Sequence, residues 1–220
     1  MSFSQSALQR ARVVLVGSGR MGQIRGSLMY ANPKFEMIGV CDVNAVGAQT
    51  LAEKYSAMPF TSIQDAIDHF GVRDQSGYYE QVAADGFGAA SVAVSSGGET
   101  NTSIDGIVLC APTFTHDDVI REAADHGLPI FVEKPVDESA EKIEHLFEIC
   151  ENAGAKLCCG FQRRFDESYV AVAEAVKQGR IGKPISANIF FADHPCPPIE
   201  FLLTGGDIFM DLCVSFEFAK

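Results

Sequence analysis

The feature that most constrains the fold is an apolar run near the start of the chain that leads into three closely spaced glycines. The run is Val13–Val16, and Gly17, Gly19 and Gly22 follow it. Glycine permits a tight turn at the first position, close backbone approach to a ligand at the second, and close helix–strand packing at the third. The pattern predicts a strand, a turn and a helix whose N-terminal N–H groups can bind phosphate.

A second apolar run, Met37–Cys41, ends on Asp42, 20 positions after Gly22. A carboxylate there accepts hydrogen bonds from the adenosine ribose and repels the 2′-phosphate of NADP. The spacing therefore predicts an NAD site and disfavours NADP, with a chance glycine-rich turn as the alternative. The cofactor-binding residues predicted in this part of the chain are Gly17, Ser18, Gly19, Arg20, Met21, Gly22 and Asp42.

The charge balance argues against two classes of partner. Lys and Arg total 17 against 29 Asp and Glu, a net charge of −12, whereas nucleic acids and anionic membranes are bound through Lys and Arg. No run approaches the roughly 20 apolar residues of a membrane span. We therefore expect a cytoplasmic protein with no nucleic-acid or membrane partner.

The seven cysteines show neither a CxxC pair nor zinc spacing, so no metal site is predicted. Their odd number indicates a reducing compartment. Four of them lie in apolar runs, where free cysteine behaves as a small buried hydrophobe. These four are Cys41, Cys110, Cys158 and Cys159.

Strand and helix patterns alternate from residue 12 to about residue 160, which predicts an α/β fold with a doubly wound parallel sheet. Residues 1–160 are assigned to a dinucleotide-binding Rossmann domain, whose last buried strand lies in Lys156–Gly160. Residues 71–103, with six glycines and five serines, interrupt the pattern. We interpret them as a surface insertion, with a functional lid as the alternative.

The character of the chain changes after Phe161. An amphipathic helix is predicted to end at Gln178, and the alternation over Ile185–Ala192 predicts an antiparallel strand. A last helix is predicted over Asp207–Val214. Residues 161–220 are therefore assigned to part of an α+β substrate domain.

Polar residues follow two of the predicted strands, at the sheet edge where doubly wound folds bind ligands. His116 could face a cofactor, or it could be an ordinary polar residue at a helix start. Lys134 could hold a cofactor or a substrate hydroxyl and stabilise alkoxide charge, or it could be a surface lysine beside a turn. The candidates on this edge are Ala111, Pro112, Thr113, His116, Glu133 and Lys134.

In their order along the chain, these motifs resemble the glucose–fructose oxidoreductase/inositol dehydrogenase (Gfo/Idh/MocA) family. The motifs that carry the resemblance are the glycine pattern, Asp42, Ala111-Pro-Thr-x-x-His116, Glu133-Lys-Pro135, Arg164-Phe165 and Gly205-Gly-x-x-x-x-Asp211. The resemblance implies NAD(P)-dependent oxidation or reduction of a sugar, cyclitol or similar polyol, with the inositol 2-dehydrogenase branch as the best match. It implies that Lys134 contacts nicotinamide and substrate and that Asp211 acts on the reacting hydroxyl. Gln162 is added to the predicted cofactor site.

Two departures from the family pattern affect the predicted activity. The family places a catalytic histidine four residues after Asp211, where this chain has Ser215, and a serine hydroxyl is no general base near neutral pH. Family members are also longer, so we expect a truncated member with an incomplete second domain. A homo-oligomer is then expected only if the C-terminal sheet is present. The alternatives to an enzyme are a dinucleotide-binding fragment without catalysis and an NAD(H) sensor.

Overall fold

The computed structural model describes residues 10–73, 103–188, 190 and 199. Strands and helices alternate over this part of the chain, with short 3-10 helices at Thr113–Thr115 and Gln162–Phe165. The elements are β1 Ala11–Val16, α1 Arg20–Ala31, β2 Phe35–Cys41, α2 Ala45–Tyr55, β3 Met58–Phe60, α3 Ile63–Phe70, β4 Gly106–Leu109, α4 His116–Asp125, β5 Ile130–Val132, α5 Ala140–Asn152, β6 Leu157–Cys159 and α6 Glu167–Lys177.

The strands form one parallel sheet in the order β3-β2-β1-β4-β5-β6. Strands β2 and β3 lie on one side of β1, and strands β4, β5 and β6 lie on the other side. At this switch point Val16 pairs with Leu109, so the carboxyl ends of β1 and β4 lie side by side. This arrangement confirms the doubly wound α/β fold, and it places the ligand crevice beyond these two strand ends.

Two apolar clusters cover the two faces of the sheet. Successive side chains of a strand point to opposite faces, and in β1 Val14 and Val16 join one cluster while Val13 and Leu15 join the other. Helices α3, α4 and α5 pack on the first face, and α1 and α2 on the second. Both faces are therefore covered, which is why the central strands are continuous apolar runs.

The burial of the cysteines corrects part of the prediction. Cys41 and Cys110 are buried as expected, and burial raises the pKa of each thiol to about 12, assisted by Asp42 and Glu133 respectively. Cys158 is exposed and Cys159 only partly buried. Within the described residues, strand β6 lies at the edge of the sheet and pairs only with β5, and its side chains are exposed or partly buried, so the prediction of a buried strand there was wrong.

The C-terminal predictions are only partly covered by the described residues. Helix α6 has the predicted position, although none of its described side chains is buried. Residues 185–188 and 190 have no regular secondary structure. The predicted strand over Ile185–Ala192 is therefore not seen at these positions, and the rest of that segment lies outside the described residues. The predicted helix over Asp207–Val214 lies outside the described residues.

The two ends of the predicted insertion meet at the amino-terminal edge of the sheet. Val72 forms a parallel bridge with Ile104. Asp105 pairs with Arg73 at 2.9 Å and accepts a 2.7 Å hydrogen bond from the backbone N–H of Arg12, at the start of β1. Residues 74–102 themselves lie outside the described part of the chain. Their points of attachment are thus on the edge opposite Gly17.

None of the helices within the described ranges combines the length and apolar character needed to cross a bilayer.

Candidate functional site

The first and third glycines of the motif are required by close backbone contacts. Gly17 has φ +100°, and a Cβ there would lie 2.6 Å from the backbone nitrogen of Ala111 at the end of β4. A Cβ on Gly22 would overlap the carbonyl oxygen of Gly17. The turn and the first turn of α1 therefore pack directly against the ends of β1 and β4. These are the tight turn and the close helix packing that the sequence predicts.

The second glycine is required by no contact within the described protein. A Cβ on Gly19 would meet nothing within 4 Å. Gly19 is also the N-cap of α1 and provides no side-chain cap. By contrast, side chains cap four other helices, namely Asn44 on α2, Ser62 on α3, Ser139 on α5 and Asp166 on α6.

The N-terminus of α1 therefore faces open space with the positive end of its helix dipole. The first N–H groups of a helix have no partner within the helix, and no acidic residue lies in the first turn of α1. This combination suits an anionic group such as a pyrophosphate. The residues present fit the phosphate groups of a dinucleotide.

Asp42 lies beside this opening, directly after β2. Its Oδ2 accepts hydrogen bonds from the backbone N–H and the hydroxyl of Ser18, at 2.6 and 2.7 Å, and its Oδ1 accepts one from the Asn44 N–H at 2.8 Å. Burial acts to raise the pKa of Asp42, but these bonds outweigh it and leave the pKa below its ordinary value. The carboxylate is therefore ionised at neutral pH.

A carboxylate offers about four acceptor positions, and three are used inside the protein. Among the described residues nothing donates to the remaining position, on Oδ1, which can accept a hydrogen bond from a hydroxyl. Gly47 on α2 makes this arrangement possible, because a Cβ there would lie 2.5 Å from the Ser18 hydroxyl. The sequence analysis did not single out Gly47, which has no part in the three-glycine pattern.

His116 is the first residue of α4, which agrees with the alternative of a polar residue at a helix start, and it is buried there. The side chain is 1% exposed, with Nε2 2.9 Å from the Ala111 carbonyl and Nδ1 3.1 Å from the Val136 carbonyl. A neutral imidazole has one N–H and can donate to only one of these oxygens, whereas the protonated ring can donate to both. His116 thus joins the loop after β4 to the loop after β5, and its contact with a cofactor stays a prediction.

Glu133 and Lys134 follow β5 at the same edge of the sheet. The Glu133 N–H donates to the Leu109 carbonyl at 2.9 Å, and its buried carboxylate pairs with the Arg25 Nε at 2.5 Å. Lys134 is partly buried, and its peptide bond to Pro135 is cis. Arg25 is a residue that the sequence analysis missed. Only the requirement that a buried carboxylate be paired could have suggested it.

Residues 11–161 match the oxidoreductase family with an NAD-binding Rossmann fold. The chain belongs to the Gfo/Idh/MocA oxidoreductase family. The resemblance inferred from the motifs is thereby confirmed, and the NAD-binding fold of the family agrees with the cofactor predicted from Asp42.

Two relatives of the chain are named for their action on inositols. The chain is 31% identical over 210 residues to the inositol 2-dehydrogenase of Rhizobium meliloti, which covers 95% of this chain and 54% of that protein. It is 40% identical over 118 residues to scyllo-inositol 2-dehydrogenase (NAD(+)) of Bacillus subtilis, covering 53% of this chain and 34% of that protein. Over its full length the chain thus spans about half of the first of these relatives.

The fold of the family is also seen in solved structures. A myo-inositol dehydrogenase from Corynebacterium glutamicum superimposes with a TM-score of 0.62 at 27% identity, over 96% of this chain and 54% of that one. The likeness includes the Rossmann sheet described above.

Most of the residues predicted for the Gfo/Idh/MocA site follow strands at the carboxyl edge of the sheet. Besides those already described, Pro112 and Thr113 follow β4, and Gln162 is exposed in the 3-10 helix after β6. Arg20 is exposed and Met21 partly buried in the first turn of α1. Their contacts with a cofactor stay predictions. Asp211 and Ser215 lie outside the described residues.

Proposed function

We propose that the protein is an NAD-dependent oxidoreductase that transfers a hydride between nicotinamide and a hydroxyl-bearing carbon of a cyclitol or sugar, in the manner of an inositol 2-dehydrogenase. The observation that carries the proposal is the placement of three features on one sheet edge. These are the open N-terminus of α1 at Gly19, the ionised Asp42 and Lys134. The names of the relatives support the substrate class.

In this proposal the chain contributes binding and electrostatics, and NAD, when bound, supplies the hydride chemistry. The N–H groups after Gly19 bind the pyrophosphate, and Oδ1 of Asp42 accepts a hydrogen bond from a hydroxyl of the adenosine ribose. The ammonium group of Lys134 holds the oxygen of the reacting hydroxyl and stabilises the negative charge that develops on it. The resemblance to the family implies that Asp211 orients that hydroxyl.

A second candidate function is dinucleotide binding without catalysis. Ser215 supports it, since this residue stands where the resemblance implies a histidine. A serine hydroxyl does not accept a proton at neutral pH as an imidazole does. Under this reading the chain keeps the cofactor site and lacks a general base.

Measurements on the purified chain test both candidates. We expect NADH to bind, observed as enhanced nicotinamide fluorescence, and NAD⁺ to be reduced in the presence of myo- or scyllo-inositol, observed at 340 nm. Lys134→Met is expected to lower turnover by about 10²-fold or more. NADH binding without turnover on any inositol or aldose would favour the second candidate. Absence of NADH binding would contradict both.

The lid alternative for residues 71–103 leads to a further prediction. The ends of this segment are joined by the Val72–Ile104 bridge on the edge opposite the glycine motif. Replacing residues 74–102 with a short Gly-Ser linker is therefore expected to leave NADH affinity within about twofold of wild type, since loop length alone changes closure entropy little. Titration of NADH fluorescence measures this. A large loss of affinity in a folded variant would support the lid instead.

A further inference from the structure

A partly buried ion pair connects the glycine-motif helix to the loop that carries Lys134. Arg25 lies on α1, and Glu133 directly precedes Lys134. Their Nε and Oε1 atoms are 2.5 Å apart, and the two side chains are 21% and 7% exposed. A charge-assisted contact of this kind is short and directional. It joins two segments that are 108 positions apart in the chain.

The surroundings of the pair hold it in one arrangement. The Arg25 guanidinium lies 5.1 Å from the ring centroid of Phe131, which packs against the apolar cluster beneath α1. A Cβ on Gly160 would lie 2.8 Å from the Phe131 ring and 3.4 Å from the second oxygen of Glu133. Gly160 therefore leaves the space that the ring and the carboxylate occupy.

Lys134 lies between two anchored neighbours. On one side, Glu133 is bound by Arg25 and, through its backbone N–H, by Leu109. On the other side, the Val136 carbonyl contacts the buried ring of His116. The loop is thus fixed both to α1 and to the start of α4. The position of Lys134 relative to the α1 N-terminus depends on these anchors.

We propose that Arg25 and Glu133 form a positioning pair, which sets the Lys134 loop against the phosphate-binding helix so that the nicotinamide end of the cofactor is held. The proposal rests on the function proposed above. It assigns Arg25 and Glu133 an action through Lys134 and no direct contact with the reacting atoms. The pair should therefore affect ligands that carry nicotinamide and spare those that end at the second ribose.

The comparison of NADH with ADP-ribose, which lacks nicotinamide, tests the proposal. In Glu133→Gln we expect the Kd for NADH to rise about tenfold and the Kd for ADP-ribose to stay within about twofold. Arg25→Met is expected to behave in the same way. The double variant should be no weaker than either single variant, because both substitutions remove one shared contact. Isothermal titration calorimetry measures both ligands on the same preparations.

A matched control is available on the opposite edge of the sheet. Asp105 and Arg73 form an ion pair at 2.9 Å with side chains 13% and 27% exposed. Asp105→Asn removes a comparable partly buried pair, and we expect it to leave the ratio of the NADH and ADP-ribose affinities unchanged. Arg25→Lys replaces these variants if Glu133→Gln or Arg25→Met lowers the fraction of folded protein. It keeps the positive charge and removes the Nε donor, and its affinities for NADH and ADP-ribose are compared in the same way.

The possible outcomes separate this inference from the proposed function. Selective loss of NADH affinity in the pair variants supports the positioning role. Equal loss for NADH and ADP-ribose, or no loss for either, overturns it while leaving the NAD site in place. Failure of the wild-type chain to bind either ligand overturns the proposed function, and the positioning role with it.

Discussion

Gly22→Ala is expected to destabilise the protein and abolish NADH binding. The new Cβ would overlap the carbonyl oxygen of Gly17, and this neighbour is backbone that itself packs against the end of β4. No side chain can rotate away to relieve the overlap, so α1 must move from the sheet. Overpacking typically costs about 1–3 kcal/mol, and we expect a loss of about 3 kcal/mol because both partners are fixed backbone. Urea denaturation and NADH titration measure the two effects.

Gly19→Ala is the control for this substitution. Its Cβ would meet nothing within 4 Å, and the residue has an ordinary φ of −68°. We expect its free energy of unfolding to stay within about 1 kcal/mol of wild type, while NADH affinity falls because the methyl group occupies the space before the α1 N-terminus. A Gly22→Ala protein as stable as wild type would contradict the packing argument. Unchanged NADH affinity in Gly19→Ala would place the pyrophosphate elsewhere.

The sequence predicted the central fold well because its signals are local. Buried parallel strands appear in the sequence as continuous apolar runs. The spacing from Gly17 to Asp42 is typical of one strand–helix–strand unit that binds a dinucleotide. The separate functions of Gly17 and Gly22 also follow from the motif, since each is required by a contact within or next to that unit. Local pattern and tertiary packing agree in this part of the chain.

The strand predictions that failed concern properties that depend on which strands are neighbours in the sheet. Apolarity identified Leu157–Cys159 as a strand, but its exposure follows from its position at the sheet edge. The amino-acid pattern of a strand does not say how many neighbours it has. Alternation over Ile185–Ala192 likewise predicts a strand, and the described residues of that segment, 185–188 and 190, have no regular secondary structure.

The contacts that organise the candidate site join residues far apart in the chain, and no local sequence pattern predicts them. Arg25 and Glu133 are 108 positions apart, and nothing near either residue indicates the other. The sequence predicts that His116 lies at the carboxyl edge of the sheet. Its two carbonyl partners could be seen only once the loops after β4 and β5 were placed together. Sequence position thus identified the edge, and packing determined what each side chain does there.

Asp42→Asn is expected to reverse the preference for NADH over NADPH. The substitution removes the charge that would repel a 2′-phosphate, and its amide group cannot accept all three hydrogen bonds from Ser18 and Asn44. A hydrogen bond to a charged group contributes about 1.5–3 kcal/mol, so the loss of the one ribose hydrogen bond that Oδ1 can still accept should weaken NADH binding by about 10- to 10²-fold. NADPH binding should be unchanged or improved. Parallel fluorescence titrations give the ratio of the two affinities.

Because the pKa of Asp42 is lowered, the effect of its charge on the preference for NADH can be tested by measuring both affinities at several pH values. Burial opposes ionisation, yet the bonds from Ser18 and Asn44 keep the folded pKa below that of the unfolded chain. The stabilisation from the carboxylate is therefore fully present above the unfolded pKa and is lost as the pH falls through the folded pKa. Asp42 therefore stays ionised between roughly pH 6 and 8, and a rise in the preference for NADH over this range is expected to follow the second ionisation of the 2′-phosphate of NADPH, at about pH 6.

Asp68→Asn, on α3, changes the net charge equally, and its carboxylate contacts Gln64 in an exposed pair. We expect this control to retain the wild-type preference. If it lost the preference as Asp42→Asn does, the discrimination would come from overall charge, and the assignment of Asp42 to the ribose would be wrong.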